Sequence, residues 1–139
     1  MKEIRIALVG IGNCASSLCQ GIGFYRRAVC LGNPVVGLAH PTICGFGPGD
    51  IRVVAAIDVD SRKVGLNLKD AIFAPPNNTI RFFDDFETDV SVSMGNVLDG
   101  ISAHMLSYPE HMSFRVDSRA SASQRDICSL PKTAARKFS

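Results

Sequence analysis

The chain has 139 residues, 46% of them apolar and 20% charged, and a formal net charge of +2. That length and apolar content suit one small domain with a core, and the near-neutral balance names no partner. No apolar stretch approaches the roughly 20 residues that a membrane span needs, and the Lys2-Glu3 opening is not a signal peptide, so the chain is expected in the cytoplasm, away from membranes.

The first element is a strand from Ile4 to Val9, an apolar run that ends in the turn Gly10-Ile11-Gly12-Asn13-Cys14-Ala15. Glycine at position 10 permits a sharp turn off the strand, Gly12 leaves room for a pyrophosphate, and Ala15 lets strand and helix pack closely. An anion at such a turn meets free N–H groups and the positive end of the helix. A glycine triplet alone also suits a tight turn that binds nothing.

A helix is predicted from Cys14 to Tyr25, capped by Asn13, with Cys14, Leu18, Ile22 and Tyr25 recurring on one face. Gly21 and Gly23 weaken its later turns. Arg26 and Arg27 are read as partners of solvent and of the negative helix end rather than of phosphate. Gly32, Pro34, Gly37, Pro41, Gly45, Gly47, Pro48 and Gly49 then leave little chance of regular structure, which predicts a long loop between about Val29 and Asp50.

A second apolar run, Ile51 to Ile57, ends in Asp58-Val59-Asp60. An acid at the tip of a second strand binds ribose hydroxyls and repels a 2′-phosphate, which makes Asp58 a ribose candidate and favours NAD over NADP. The usual gap from glycines to acid is about 20 residues. Here it is much longer, which the inserted loop explains. Ile80 to Phe83 and Val90 to Met94 are further strand candidates, and Asp84, Asp85, Glu87 and Asp89 read as a charged turn between them. The expected fold is α/β, a Rossmann-like parallel sheet whose first two strands lie side by side. With so few strands the sheet is incomplete, and its exposed edge invites self-association.

Five cysteines, Cys14, Cys19, Cys30, Cys44 and Cys128, form neither an even set nor a Cys-x-x-Cys pair, so free thiols are expected rather than zinc or disulfides. Cys14 stands where a thiolate would be stabilised, but packing and backbone presentation are its expected work. His104 and His111 with Glu110 lack the convergence of a metal cage, and a solvated loop is expected there. No metal site and no catalytic residue is assigned.

The blocks Val9-Gly10-Ile11-Gly12-Asn13-Cys14-Ala15-Ser16-Ser17-Leu18, Gly37-Leu38, Phe46-Gly47-Pro48 and Val54 to Asp60 resemble one family, the bacterial and actinobacterial inositol-3-phosphate synthases. The likeness continues through Lys63-Val64-Gly65, Asp70 to Ala74, Asn77-Asn78-Thr79 and Leu98-Asp99-Gly100-Ile101, in the family's order and including the long loop. It implies conversion of glucose 6-phosphate to inositol 3-phosphate with bound NAD, through oxidation, enolisation, aldol closure and return of the hydride. It places Gly10, Ile11, Gly12, Asn13, Cys14 and Ala15 around the pyrophosphate and Asp58 at the ribose. Asn67 stands where relatives carry an acid, and Asn78 is a loop contact or a turn residue after Pro75-Pro76; both join the cofactor candidates. The family's catalytic lysines lie in a later half to which nothing among these 139 residues corresponds, so glucose 6-phosphate is a partner only when that half is supplied.

The likeness fades beyond Pro109, which divides the chain into an NAD-binding portion, residues 1–109, and a Ser/Ala-rich tail, residues 110–139. Between Arg115 and Ser139 stand six Lys or Arg against two Asp, with neither helical nor strand periodicity. Disorder is expected for this tail, and its sparse charges without an aromatic platform do not suit nucleic acid. A frameshift or premature stop in a longer gene would explain the abrupt change. Two function classes stay open: the NAD half of an inositol-phosphate synthase, and a non-catalytic nucleotide-binding fragment or inactive remnant.

Overall fold

The computed structural model of the protein describes residues 3–97 and 102–118. The block Leu98-Asp99-Gly100-Ile101 and the tail from Arg119 onward, Cys128 included, lie outside the described residues.

Strand β1, Ile4–Val9, leads through the glycine turn into helix α1, Asn13–Cys30. A long loop and a single 3-10 turn at Pro48–Asp50 bring the chain back as β2, Ile51–Asp58. The short helix α2, Leu68–Ala71, and the strand β3, Val92–Met94, follow, and a second 3-10 turn spans Ala103–Ser107. Both strand pairings are parallel, in the order β1-β2-β3, with Ile4 opposite Ile51 and Ala56 opposite Val92. The fold is therefore α/β with a small parallel sheet, as the alternation of apolar runs and glycine turns implies.

The core joins Leu8 of β1, Val53 and Ala56 of β2 and Val92 of β3 to Ala15, Cys19 and Ile22 of α1, with Leu68, Ala71, Ile72 and Phe86 closing it. This corrects the expected helix face. Ile22 is buried, but Cys14 and Leu18 are exposed, and the inward row is Ala15, Ser16, Cys19, Gln20, Ile22 and Gly23. Small residues line it because the helix lies close to its neighbours: a Cβ on Gly23 would stand 2.6 Å from the Phe83 ring. Gln20 is buried with a purpose, since its Oε1 accepts from the N–H groups of Phe82 and Phe83 and its Nε2 donates to the Ile80 carbonyl.

Those bonds also explain why residues 80 to 83, a strand candidate, are not one. A side chain, rather than a neighbouring strand, satisfies their backbone groups. The helix also runs past both weakening glycines to Cys30, because tertiary packing outweighs their propensity cost of about 1 kcal/mol each. Arg26 is held within the fold rather than left to solvent: Nε donates to the Gly49 carbonyl at 3.2 Å and Nη2 to that of Ile51 at 2.9 Å, pinning the end of the long loop at the start of β2. Arg27 forms an exposed ion pair with Asp85.

The two sides of the sheet differ. Beside β3, the segment 65–68 exchanges backbone bonds with Val90 and Val92. Beside β1, no strand is paired on the outer side among the described residues, and Val9 is 81% exposed.

Candidate functional site

The turn between β1 and α1 is shaped by its backbone. Gly10 takes φ +84°, a left-handed conformation that suits glycine, and its N–H donates to the Ile57 carbonyl at 2.8 Å, so the turn is tied to the end of β2. A Cβ on Gly12 would meet nothing within 4 Å, which leaves open space over the helix start. Gly12 is the N-cap of α1 and offers no side chain to the first helical N–H groups, which have no partner inside the helix. Asn13, expected as the cap, is instead the first helical residue. Its Oδ1 accepts from the Asn78 N–H at 2.9 Å and from Thr79 Oγ1 at 2.8 Å, so the Asn77-Asn78-Thr79 block is fastened to the glycine turn.

Asp58, the last residue of β2, reaches under the turn. Its Oδ2 accepts from the Ile11 N–H at 2.6 Å, and its Oδ1 from the N–H groups of Val59 and Asp60. An ionised carboxylate has about four acceptor positions, so three backbone donors leave room for a hydroxyl. On its other side the Ile11 peptide is held by Lys63, whose Nζ donates to the Ile11 carbonyl at 2.7 Å and to Asn77 Oδ1 at 2.8 Å. Burial pushes the Lys63 pKa down, while the carboxylates of Asp58 and Asp60 favour its charge.

These groups border one groove of about 580 Å³, lined on the turn side by Gly10, Ile11, Gly12 and Asn13, on the floor by Asp58, Val59 and Lys63, and beyond by Pro76, Asn77 and Asn78. His111, Met112 and Phe114 complete it. The structure thus brings Gly10, Ile11, Gly12, Asn13, Asp58 and Asn78 together. Cys14 and Ala15 belong to the first turn of α1 without lining the groove, Ala15 buried in the core and Cys14 exposed rather than packed. Asn67 stands apart. Its Oδ1 caps α2 by accepting from the Lys69 N–H, and its Nδ2 donates to the Thr88 carbonyl. Two other recesses, of about 680 and 650 Å³, lie away from the turn and are lined largely by charged side chains such as Arg27, Lys69, Asp70, Arg5 and Arg52.

The sequence reading gave Lys63 no role beyond its place in a family block and put residues 110–117 in the tail expected to be disordered, whereas the structure fastens them to residues 59–62. A lysine after an acidic turn looks like a surface residue, and only its 3% exposure shows otherwise. The segment is held to the sheet by Asp60, which is fully buried. Arg62 donates from Nε to Asp60 Oδ1 at 2.9 Å and from Nη2 to Oδ2 at 2.6 Å. Arg62 also donates to the carbonyls of Glu110 and Ser113, while the N–H of Ser61 donates to Arg115 and that of Asp117 to Val59. Burial would raise the Asp60 pKa, but hydrogen bonds from the Arg62 side chain and from the backbone of Arg62 and Arg115 outweigh it and hold the carboxyl below its usual range.

Among the described residues, no three His, Cys, Asp or Glu side chains are grouped to hold a metal ion, and no helix is long and apolar enough to cross a membrane.

No protein-family model matches the chain. It is 50% identical over 102 residues to an inositol-3-phosphate synthase of Mycolicibacterium smegmatis and 48% identical over 102 residues to one of Mycobacterium tuberculosis. Each match covers 73% of this chain and 28% of the relative, so the chain spans little more than a quarter of the length of these relatives. Among solved structures, that of Ari2 aligns with a TM-score of 0.62 at 36% identity, covering 68% of this chain and 29% of that one. The chain therefore carries a segment homologous to the N-terminal part of inositol-3-phosphate synthases.

Proposed function

We propose that this chain binds NAD in the groove over the Gly10–Ala15 turn, as the cofactor-binding portion of an inositol-3-phosphate synthase. The observation that carries the reading is the placement of Asp58 at the end of β2, 2.6 Å from the Ile11 N–H of a glycine turn that opens directly into an 18-residue helix. Pyrophosphate oxygens would take the first N–H groups of α1 over the space left by Gly12, where the helix end favours negative charge. Asp58 would use its remaining acceptor position on the ribose, its other positions keeping the carboxylate aimed. Lys63 and Asn77 hold the Ile11 carbonyl, so the turn is set before a ligand arrives, and its ordering entropy is not spent on binding.

When bound, NAD supplies a reversible hydride acceptor for the closure of glucose 6-phosphate to inositol 3-phosphate. In this reading the groove residues bind and orient the cofactor, and no role at a sugar carbon is assigned to them. Synthase activity accordingly requires the remaining length of the relatives. A non-catalytic nucleotide-binding fragment is the second reading, favoured by the 28% coverage of those relatives.

Calorimetric titration of the chain with NAD, beside an Asp58→Ala variant and an assay for inositol phosphate from glucose 6-phosphate, tests both. Binding that Asp58→Ala weakens at least about tenfold, a change of about 1.4 kcal/mol, supports the cofactor site. Turnover by the chain alone would discard the fragment reading, and absence of NAD binding would discard both.

A further inference from the structure

The segment 110–117 contributes His111, Met112 and Phe114 to the lining of the groove, and nothing in the proposed pyrophosphate or ribose contacts uses it. Its attachment is specific. Asp60 lies fully buried beneath it, and Arg62 joins that carboxylate to the carbonyls of Glu110 and Ser113, at 2.9 and 2.7 Å. Backbone bonds from Ser61 to Arg115 and from Asp117 to Val59 then run the segment alongside the residues that directly follow Asp58. A buried, doubly hydrogen-bonded ion pair is costly to desolvate, so spending one to hold an exposed segment in place calls for a reason.

Of this segment, His111, Met112 and Phe114 line the groove. Phe114 is half-buried between this groove and a smaller recess beside Tyr108, and Met112, 59% exposed, stands at the groove's rim. The polar atoms that join the segment to the sheet belong to its backbone and to Asp60 and Arg62, so the side chains of Met112 and Phe114 take no part in that attachment.

We infer that residues 110–117 form a base-binding strap in which Phe114 and Met112 hold the adenine ring of the dinucleotide. The inference rests on the NAD reading. With the adenosine ribose on Asp58 and the pyrophosphate on the start of α1, the base attached to that ribose extends away from the turn, beyond Val59, where the strap lies. An aromatic face and a polarizable thioether suit a purine, and covering them removes apolar surface from water. Asp60 and Arg62 are positioning residues for this wall and do not touch the ligand.

The test uses the full chain, with ADP-ribose and NAD as probes. Phe114→Ala is expected to weaken ADP-ribose about tenfold, within the range found when a stacked base loses its aromatic partner, and Phe114→Tyr to restore it. Nuclear Overhauser contacts between the adenine ring protons and the Met112 methyl give a readout that a purely structural role would not produce. The strap is overturned if Phe114→Ala, with an unchanged thermal midpoint, binds ADP-ribose like the parent, or if the Overhauser contacts are absent while ADP-ribose binds. A parent chain that binds neither probe overturns the NAD reading itself, whereas one that binds NAD through Asp58 with no effect at Phe114 overturns the strap alone.

Discussion

Lys63 and Asn77 meet at 2.8 Å and share one acceptor, the carbonyl of Ile11, which takes the Lys63 ammonium at 2.7 Å and the Asn77 amide at 3.0 Å. Asn77 also donates to Ile72, so one side chain ties α2, the glycine turn and a buried cation together. Asn77→Ala leaves Lys63, 3% exposed, with a single acceptor in a place that water scarcely reaches. A loss of about 1–3 kcal/mol is expected, from leaving buried polar groups unmatched. Urea unfolding should show it as a lower midpoint at unchanged slope.

Cofactor choice should follow from the charge on Asp58. A 2′-phosphate would approach a carboxylate already fixed by three backbone donors and unable to swing away. NAD is expected to bind at least about tenfold more tightly than NADP, and Asp58→Asn to narrow the gap by weakening NAD more than NADP. Equal affinities of the parent chain for the two dinucleotides, measured by calorimetry, would contradict this.

Acid sensitivity should trace to Asp60. Its carboxyl is held below the ordinary 3.8 in the folded state, so its contribution is complete above that value and disappears as pH falls through the lower folded value. Stability measured by urea unfolding should decline from about pH 4 downward, and Asp60→Asn, less stable at neutral pH, should decline less steeply. Parallel curves for the two proteins would remove Asp60 from the account.

Thiol labelling should divide the cysteines. Burial pushes the Cys19 thiol up to about 12, and its side chain is fully enclosed in the core. Cys14, Cys30 and Cys44 are exposed. Iodoacetamide under native conditions, read by peptide mass spectrometry, should modify those three and spare Cys19, which becomes reactive only in denaturant. Prompt labelling of Cys19 in the folded chain would contradict its enclosure.

The strands β1 and β2 and the glycine turn were legible because each rests on local chemistry: an apolar run, a glycine that must adopt positive φ, an acid at a strand end. The helix face was not. Cys14 and Leu18 look apolar at helical spacing, whereas the real contact row contains Ser16, Gln20 and Gly23, chosen for closeness and for bonds to residues about 60 positions away. Residues 80 to 83 read as a strand because their apolar pattern is genuine, but their partner is the amide of Gln20. Lys63 failed for a similar reason, since a buried lysine is announced only by the carbonyl and amide that surround it. What depends on contacts distant in sequence was the part that one sequence could not display.

The outer side of β1 gives the molecule a property that none of its binding residues confers. Among the described residues the parallel ladder stops at β1, whose outer backbone groups have the geometry to pair with one more strand. An unpaired outer side of that kind sets what a fourth strand would have to do, which is to lie parallel or antiparallel along β1 and take up its free backbone groups. Any length of chain that laid a fourth strand there would do for solubility what a selvedge does for cloth, finishing the edge so that it neither frays nor catches.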